Sequence, residues 1–143
     1  MTSRRQARAA ALQILYFWQV AGAEPSQAIG AFFAEHLPDA DESIRRFTEE
    51  LVRGTIDEVA DLDRLIGSHA EHWRVERLAL TDLQILRLAT WELRHHHDET
   101  DPAVILNEAL ELARTFSGDE SVPFVNGVLD SIRRSLEKHR EPK

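Results

Sequence analysis

Between Leu83 and Leu93 the chain is apolar nearly all the way round a helix: Leu83, Ile85, Leu86, Leu88, Ala89, Trp91 and Leu93 leave little polar face. A helix of that kind is stable only when other helices wrap it, so the segment belongs in the middle of a bundle. The flanking sequence supplies the wrapping helices, and no strand-like alternation competes with them.

Residues 4–21 form a first helix with Ala7, Ala10, Ala11, Ile14, Leu15 and Trp18 on its apolar side. Pro25 opens a second helix running to about His36 and carrying Ile29, Phe32 and Phe33. Leu37–Asp41 reads as a turn. Ile44, Phe47, Leu51 and Val52 mark a third helix, which Gly54 either ends or sits within. Val59, Leu62, Leu65, Ile66 and His69 mark a fourth. Thr81 and Gln84 match a capping box ahead of the apolar helix. Asp101-Pro102 reads as the N-cap and first residue of the next helix, with Val104, Ile105, Ala109, Leu112, Ala113 and Phe116 as its apolar content. Ser117-Gly118-Asp119 breaks that helix. Ser121 then caps a last one, whose stripe is Phe124, Val125, Val128, Leu129, Ile132 and Leu136. The reading is all-α with about seven helices. A length of 143 residues suits a single domain spanning 1–143, with the polar segment His95–Asp101 as a hinge between two helical halves.

Cysteine is absent, which excludes disulfides and thiolate metal sites and makes a reducing cytoplasm the expected home. No apolar run reaches the ~18 residues of a membrane span, and no signal-like segment follows the cationic start. No phosphate-cradling glycine loop, nucleophile elbow or HExxH motif is present, and the carboxylates are scattered over outer faces, so no catalytic residues, metal or cofactor are expected. His95-His96-His97 cannot all face one ion on a helix and reads as a dipole-complementing helix end. His69 and His72 with Glu76 read as a helix-end histidine pair in preference to a metal site. Asn107-Glu108 and Asn126-Gly127 interrupt apolar stripes. The favoured reading is close helix packing through Gly127, with buried asparagines bonding neighbouring backbone; direct ligand contact is the alternative.

Charge is segregated. The first 23 residues hold Arg4, Arg5 and Arg8 and no acid, whereas the remainder holds all 25 acids against 14 Lys and Arg. A cationic head on an acidic body suggests a polyanion site confined to one end. Arg5 and Tyr16 lie about 20° apart in azimuth and roughly 16 Å apart along a helix axis. Leu12 and Ala9 lie between them, and Gln13 flanks them. Cations, an amide and an aromatic ring together suit single-stranded RNA; a merely solvated basic helix is the plain alternative.

Four segments carry a resemblance to a known family. Ala10-Ala11-Leu12-Gln13-Ile14-Leu15-Tyr16 follows the arginine-rich start, and Asp82-Leu83-Gln84-Ile85-Leu86-Arg87-Leu88-Ala89-Thr90-Trp91-Glu92-Leu93 opens the apolar helix. Ile105-Leu106-Asn107-Glu108-Ala109-Leu110-Glu111-Leu112-Ala113 and Phe124-Val125-Asn126-Gly127-Val128-Leu129-Asp130 follow. In this order the chain resembles the NusB family of transcription antitermination factors. The resemblance implies two three-helix subdomains around a long central helix and no enzymatic activity. It also implies pairing with the ribosomal protein NusE, joint binding of boxA RNA, and action within the RNA polymerase antitermination complex on ribosomal RNA operons. By the same resemblance, RNA meets Arg4, Arg5, Arg8, Gln13, Tyr16 and Phe124, with the polar turn Asp119-Glu120-Ser121; Asp82 faces NusE. The basic run here is short and interrupted by Gln6, so weak RNA affinity without the partner is expected. Two rivals stand beside this reading. One is the NusB-like RNA-binding domain of ribosomal RNA methyltransferases, disfavoured because no cofactor-binding domain follows before Lys143. The other is a helical homodimer scaffold without an RNA role; a homodimer through the N-terminal helix would compete with RNA.

Overall fold

Alanine at positions 7, 10 and 11 gives the first helix a thin side on which another helix can pack closely. In the computed structural model, which describes residues 3–70 and 74–140, α1 (Ser3–Ala21) buries those alanines together with Leu12, Ile14 and Leu15. It packs on α3 (Glu42–Asp57), whose stripe is Ile44, Phe47, Thr48, Leu51, Val52 and Thr55. The buried Thr48 hydroxyl is satisfied by donating to Ile44 O at 2.7 Å within its own helix. Gly22 ends α1: its φ is +66°, a left-handed value that glycine adopts without strain. α2 (Pro25–His36) adds Ala28, Ile29 and Phe33 to this core. Arg45 closes the turn between α2 and α3 by donating to the carbonyls of Ala40 at 3.1 Å and Pro38 at 2.8 Å, with its guanidinium 4.8 Å from the centre of the Phe33 ring. Gly54 sits inside α3 and does not end it.

These three helices make one compact unit, Met1–Asp57; a second comprises Glu58–Lys143. The division falls at Glu58, whose φ of −110° and ψ of 14° interrupt the helix between α3 and α4 (Val59–His69). The expected hinge at His95–Asp101 is instead a tight turn within the second unit. There the amides of Glu99 and Thr100 both bond back to His96 O, at 3.1 and 2.9 Å, because the helices on either side pack together.

The second unit is built around α5 (Leu80–His95). Residues Asp82–Leu93 are buried without interruption, and α4, α6 (Pro102–Leu112) and α7 (Ser121–Arg140) pack around them. Asp101 caps α6 as expected, its Oδ1 accepting from the Ala103 amide at 2.9 Å ahead of Pro102. α6 then widens into a π turn at Ala113–Ser117 and stops at Gly118, whose φ of +131° a side chain would rarely tolerate.

Several expectations require correction. The capping box is not formed: the Leu83 amide bonds to Ala79 O at 3.0 Å, so α5 has begun before Thr81. Gln84, buried, accepts from Arg87 Nη1 at 3.4 Å instead of reaching back. Ser121 is the first residue of α7, and its hydroxyl goes to Asp82, not to the helix amides. Gly127 meets nothing within 4 Å of an added Cβ, and Asn107 and Asn126 are exposed, so this helix face is surface and not a close packing contact. Val104 and Phe116, expected in the core, are 46% and 39% exposed. No helix among the described residues is long and apolar enough to cross a membrane.

Candidate nucleic-acid interface

The wheel of α1 decides which of its polar residues reach solvent. Arg5, Gln13 and Tyr16 are exposed on one face, as their spacing requires. Tyr16 is 44% exposed, and Gln13 is oriented by donating Nε2 to Ala9 O at 3.1 Å. Leu12, expected on this face, is buried. Its azimuth lies 20° to the core side of Arg5, close enough to the apolar stripe for it to be covered.

Arg8 departs most from expectation. It is 4% exposed, and its guanidinium lies 5.6 Å from the centre of the Phe47 ring. Arg4, exposed, stacks over the same ring at 3.9 Å. Two of the three N-terminal arginines therefore serve α1–α3 packing through cation–π contacts, because an arginine next to a core stripe can lay its stem on apolar surface. The arginine count overstated the cations presented outward.

Phe17 and Val20 were missed. They are 48% and 63% exposed and extend the face begun by Gln13 at spacings of four and three residues. Continuing the wheel past Tyr16 finds both. The exposed face thus runs from a cation at Arg5, through an amide at Gln13, to two rings and a valine.

In the second unit, Asp119 and Glu120 are exposed, while Ser121 and Phe124 are half-buried. A cavity of about 360 Å³ is lined by Arg77, Leu78, Ala79, Asp82, Glu120, Ser121 and Phe124. The Ser121 hydroxyl donates to Asp82 Oδ2 at 3.1 Å. Asp82, expected to face a protein partner, is 8% exposed, and its Oδ1 is covered and accepts no hydrogen bond. An ordinary surface ion pair is closed to it unless a partner group enters the cavity.

The histidines disperse onto separate neighbours. His95 Nε2 lies 2.6 Å from Glu58 Oε2, beside an Arg94–Glu58 pair at 3.3 Å; His96 is buried, and His97 lies 3.4 Å from Asp98. His69 Nδ1 meets Ser131 Oγ at 2.7 Å, and His72 lies outside the described residues. Among the described residues no group of three His, Asp or Glu could hold a metal ion. Two carboxylates titrate below their ordinary range. Hydrogen bonds from Arg134 and then Arg133 lower Asp130, while the Ser43 hydroxyl and then the Ile44 amide lower Asp41.

An all-helical fold, a helix face of cation, amide and rings, and a small carboxylate-lined cavity define an all-helical binding protein. Known proteins narrow that class. The model of the NusB family matches residues 5–134. The chain is 45% identical to the transcription antitermination protein NusB of Solibacter usitatus, over 99% of this chain and 96% of that one. It is 43% identical to that of Symbiobacterium thermophilum over 94% and 91%. Among solved structures, T. maritima NusB superposes with a TM-score of 0.86 at 28% identity, covering 99% of each chain. A chain from the crystal structure of the antitermination factors NusB and NusE in complex with dsRNA shares the fold, with a TM-score of 0.85 at 24% identity, covering 94% of this chain and 98% of that one. The chain belongs to the NusB family.

Proposed function

We propose that this chain is a transcription antitermination factor that holds boxA-type single-stranded RNA of ribosomal RNA operons jointly with the NusE ribosomal protein. In that role it helps RNA polymerase read through terminators, acting in the cytoplasm by binding and not by catalysis. The observation that carries the reading is the family match over residues 5–134, reinforced by relatives named for antitermination. A related NusB solved together with NusE and RNA supports those two partners.

On α1 the proposed RNA residues are Arg4, Arg5, Gln13 and Tyr16, joined by Phe17; Arg8 contributes by seating the helix on α3. Asp119, Glu120, Ser121 and Phe124 are proposed for the second unit. Single strands are favoured over duplex because exposed rings can stack only on bases that are themselves unstacked. The exposed Phe17 and Val20 also favour a second reading of α1, as a homodimer surface that RNA displaces.

The test is a pull-down from bacterial lysate with the tagged chain, scored for NusE and for ribosomal leader RNA. Joint recovery of both is expected. Recovery of neither, with the chain folded by circular dichroism, overturns the reading.

A further inference from the structure

We propose that Phe47 of α3 is a positioning residue for RNA, its ring holding the Arg4 guanidinium ready for a phosphate of the bound strand; this rests on the RNA function above. The Arg4 guanidinium carbon lies over the Phe47 ring, 3.9 Å from its centre. Arg4 is nevertheless exposed, and among the described residues no carboxylate pairs with it. Its contact with the protein is a stack and not a salt bridge. A guanidinium keeps its N–H donors in its own plane, so stacking occupies one face and leaves the edge to a ligand.

The seat is built by helix packing. α1 packs on α3, and Ala7 and Ala11, both fully buried, continue the line of Arg4 along α1 at helical spacing. Phe47 is itself 7% exposed, so its ring has little freedom of its own. Local electrostatics oppose a cation here. Arg4 stands in the first turn of a helix that carries no acid there, where a positive charge works against the helix dipole. Arg8 adds a second guanidinium one turn on, 5.6 Å from the same ring. The negative face of the ring offsets part of this repulsion, and an incoming phosphate offsets more. Arg8 is buried, which leaves Arg4 as the cation that Phe47 presents outward. A free arginine side chain loses rotamer freedom when it meets a phosphate. One already seated on a rigid ring has lost that freedom beforehand, so its contact is made at smaller entropic cost.

The test measures binding of the chain together with NusE to a single-stranded fragment of ribosomal leader RNA at several salt concentrations. Arg4→Ala is expected to weaken binding and to lower the salt slope by about 0.7, one phosphate contact. Phe47→Leu keeps every charge, so it should leave the slope unchanged and weaken binding about two- to tenfold, the ordering cost of one long side chain. Once Arg4 is alanine, Phe47→Leu should have no further effect on binding. Phe47→Tyr, which keeps an aromatic face, should bind as the wild type does. Arg4→Lys keeps the charge at an exposed position but lacks the planar fork, and should lose affinity at an unchanged slope. Independent effects of Phe47→Leu and Arg4→Ala overturn the proposal, because Phe47 would then act through the helix as a whole. Wild-type affinity in Arg4→Lys overturns it too, and that result is readable even where Phe47→Leu does not fold. An unchanged salt slope in Arg4→Ala takes Arg4 off the RNA, overturning the proposal while the RNA function stands. Failure of the wild-type chain with NusE to bind this RNA overturns both.

Discussion

Arg87 and Asp63 form a two-point ion pair across α5 and α4: Nε donates to Oδ1 and Nη2 to Oδ2, both at 2.7 Å. The arginine side chain is 7% exposed and the aspartate 28%, so the pair is mostly out of water. Removing Asp63 takes away the carboxylate that neutralises the buried guanidinium, while the neutral Gln84 Oε1 at 3.4 Å stays. Asp63→Ala should therefore destabilise the protein by about 3 kcal/mol, the lower end for a broken buried pair because Asp63 keeps some solvent. Denaturant unfolding followed by circular dichroism measures it, and a loss within error of zero would show that Arg87 finds other acceptors.

Gly127 and Gly118 should respond in opposite directions to alanine. Gly127 lies on the exposed face of α7 with open space around its Cβ position, so Gly127→Ala should stabilise by about 0.5–1 kcal/mol through helix propensity. Gly118 holds a φ of +131°, and an alanine there should destabilise by about 1–3 kcal/mol. Thermal melts of the two variants decide the matter. A lower melting temperature for Gly127→Ala would restore the packing role that the open surface contradicts.

Arg5 and Arg8, three residues apart on α1, should separate by role. Arg5→Ala should lower the salt slope of RNA binding by about 0.7, the contribution of one phosphate contact on a single strand. Arg8→Ala should leave that slope alone and cost about 1–2 kcal/mol of stability instead, through the lost stack on Phe47. Binding isotherms at several salt concentrations, with NusE present, distinguish the two, and an equal slope change for both would place Arg8 at the phosphates.

Tyr16→Ala and Phe17→Ala should each weaken single-strand binding by about 1–3 kcal/mol while leaving the salt slope unchanged. Duplex RNA of the same sequence should lose far less. A loss for Tyr16→Ala alone would assign Phe17 to a protein contact.

Asp41 caps α3, accepting from the Ser43 hydroxyl at 2.8 Å and the Ile44 amide at 3.1 Å. These bonds hold its carboxyl below the ordinary value of 3.8. A group depressed in the folded state contributes stability that is fully present above its unfolded value and is lost as pH falls through the folded one. Asp41→Asn keeps an acceptor at every pH, so its stability should fall less steeply than that of the wild type below about pH 4. Parallel acid limbs in urea titrations of the two proteins would remove the cap from the explanation.

Helix positions were legible because their signals are local. Pro25, Asp101-Pro102 and Gly118 act through their own backbone, and the apolar run of Leu83–Leu93 allowed only a buried helix. The resemblance in four ordered segments carried the family. Azimuth alone also placed Arg5, Gln13 and Tyr16 correctly on the outside of α1. Tertiary packing decided how far around each helix its neighbours reach. Leu12 is buried and Arg8 lies against Phe47 of α3, although both sit at the margin of the α1 stripe. Among the described residues no atom lies within 4 Å of a Cβ added at Gly127, and Val104 stays 46% exposed, although both adjoin apolar stripes. Asp82 and Ser121 are 39 residues apart, and only the side-by-side packing of α5 and α7 brings one to satisfy the other. Helical periodicity specifies direction from an axis, whereas burial depends on the width and tilt of the neighbouring helix, which no single segment encodes.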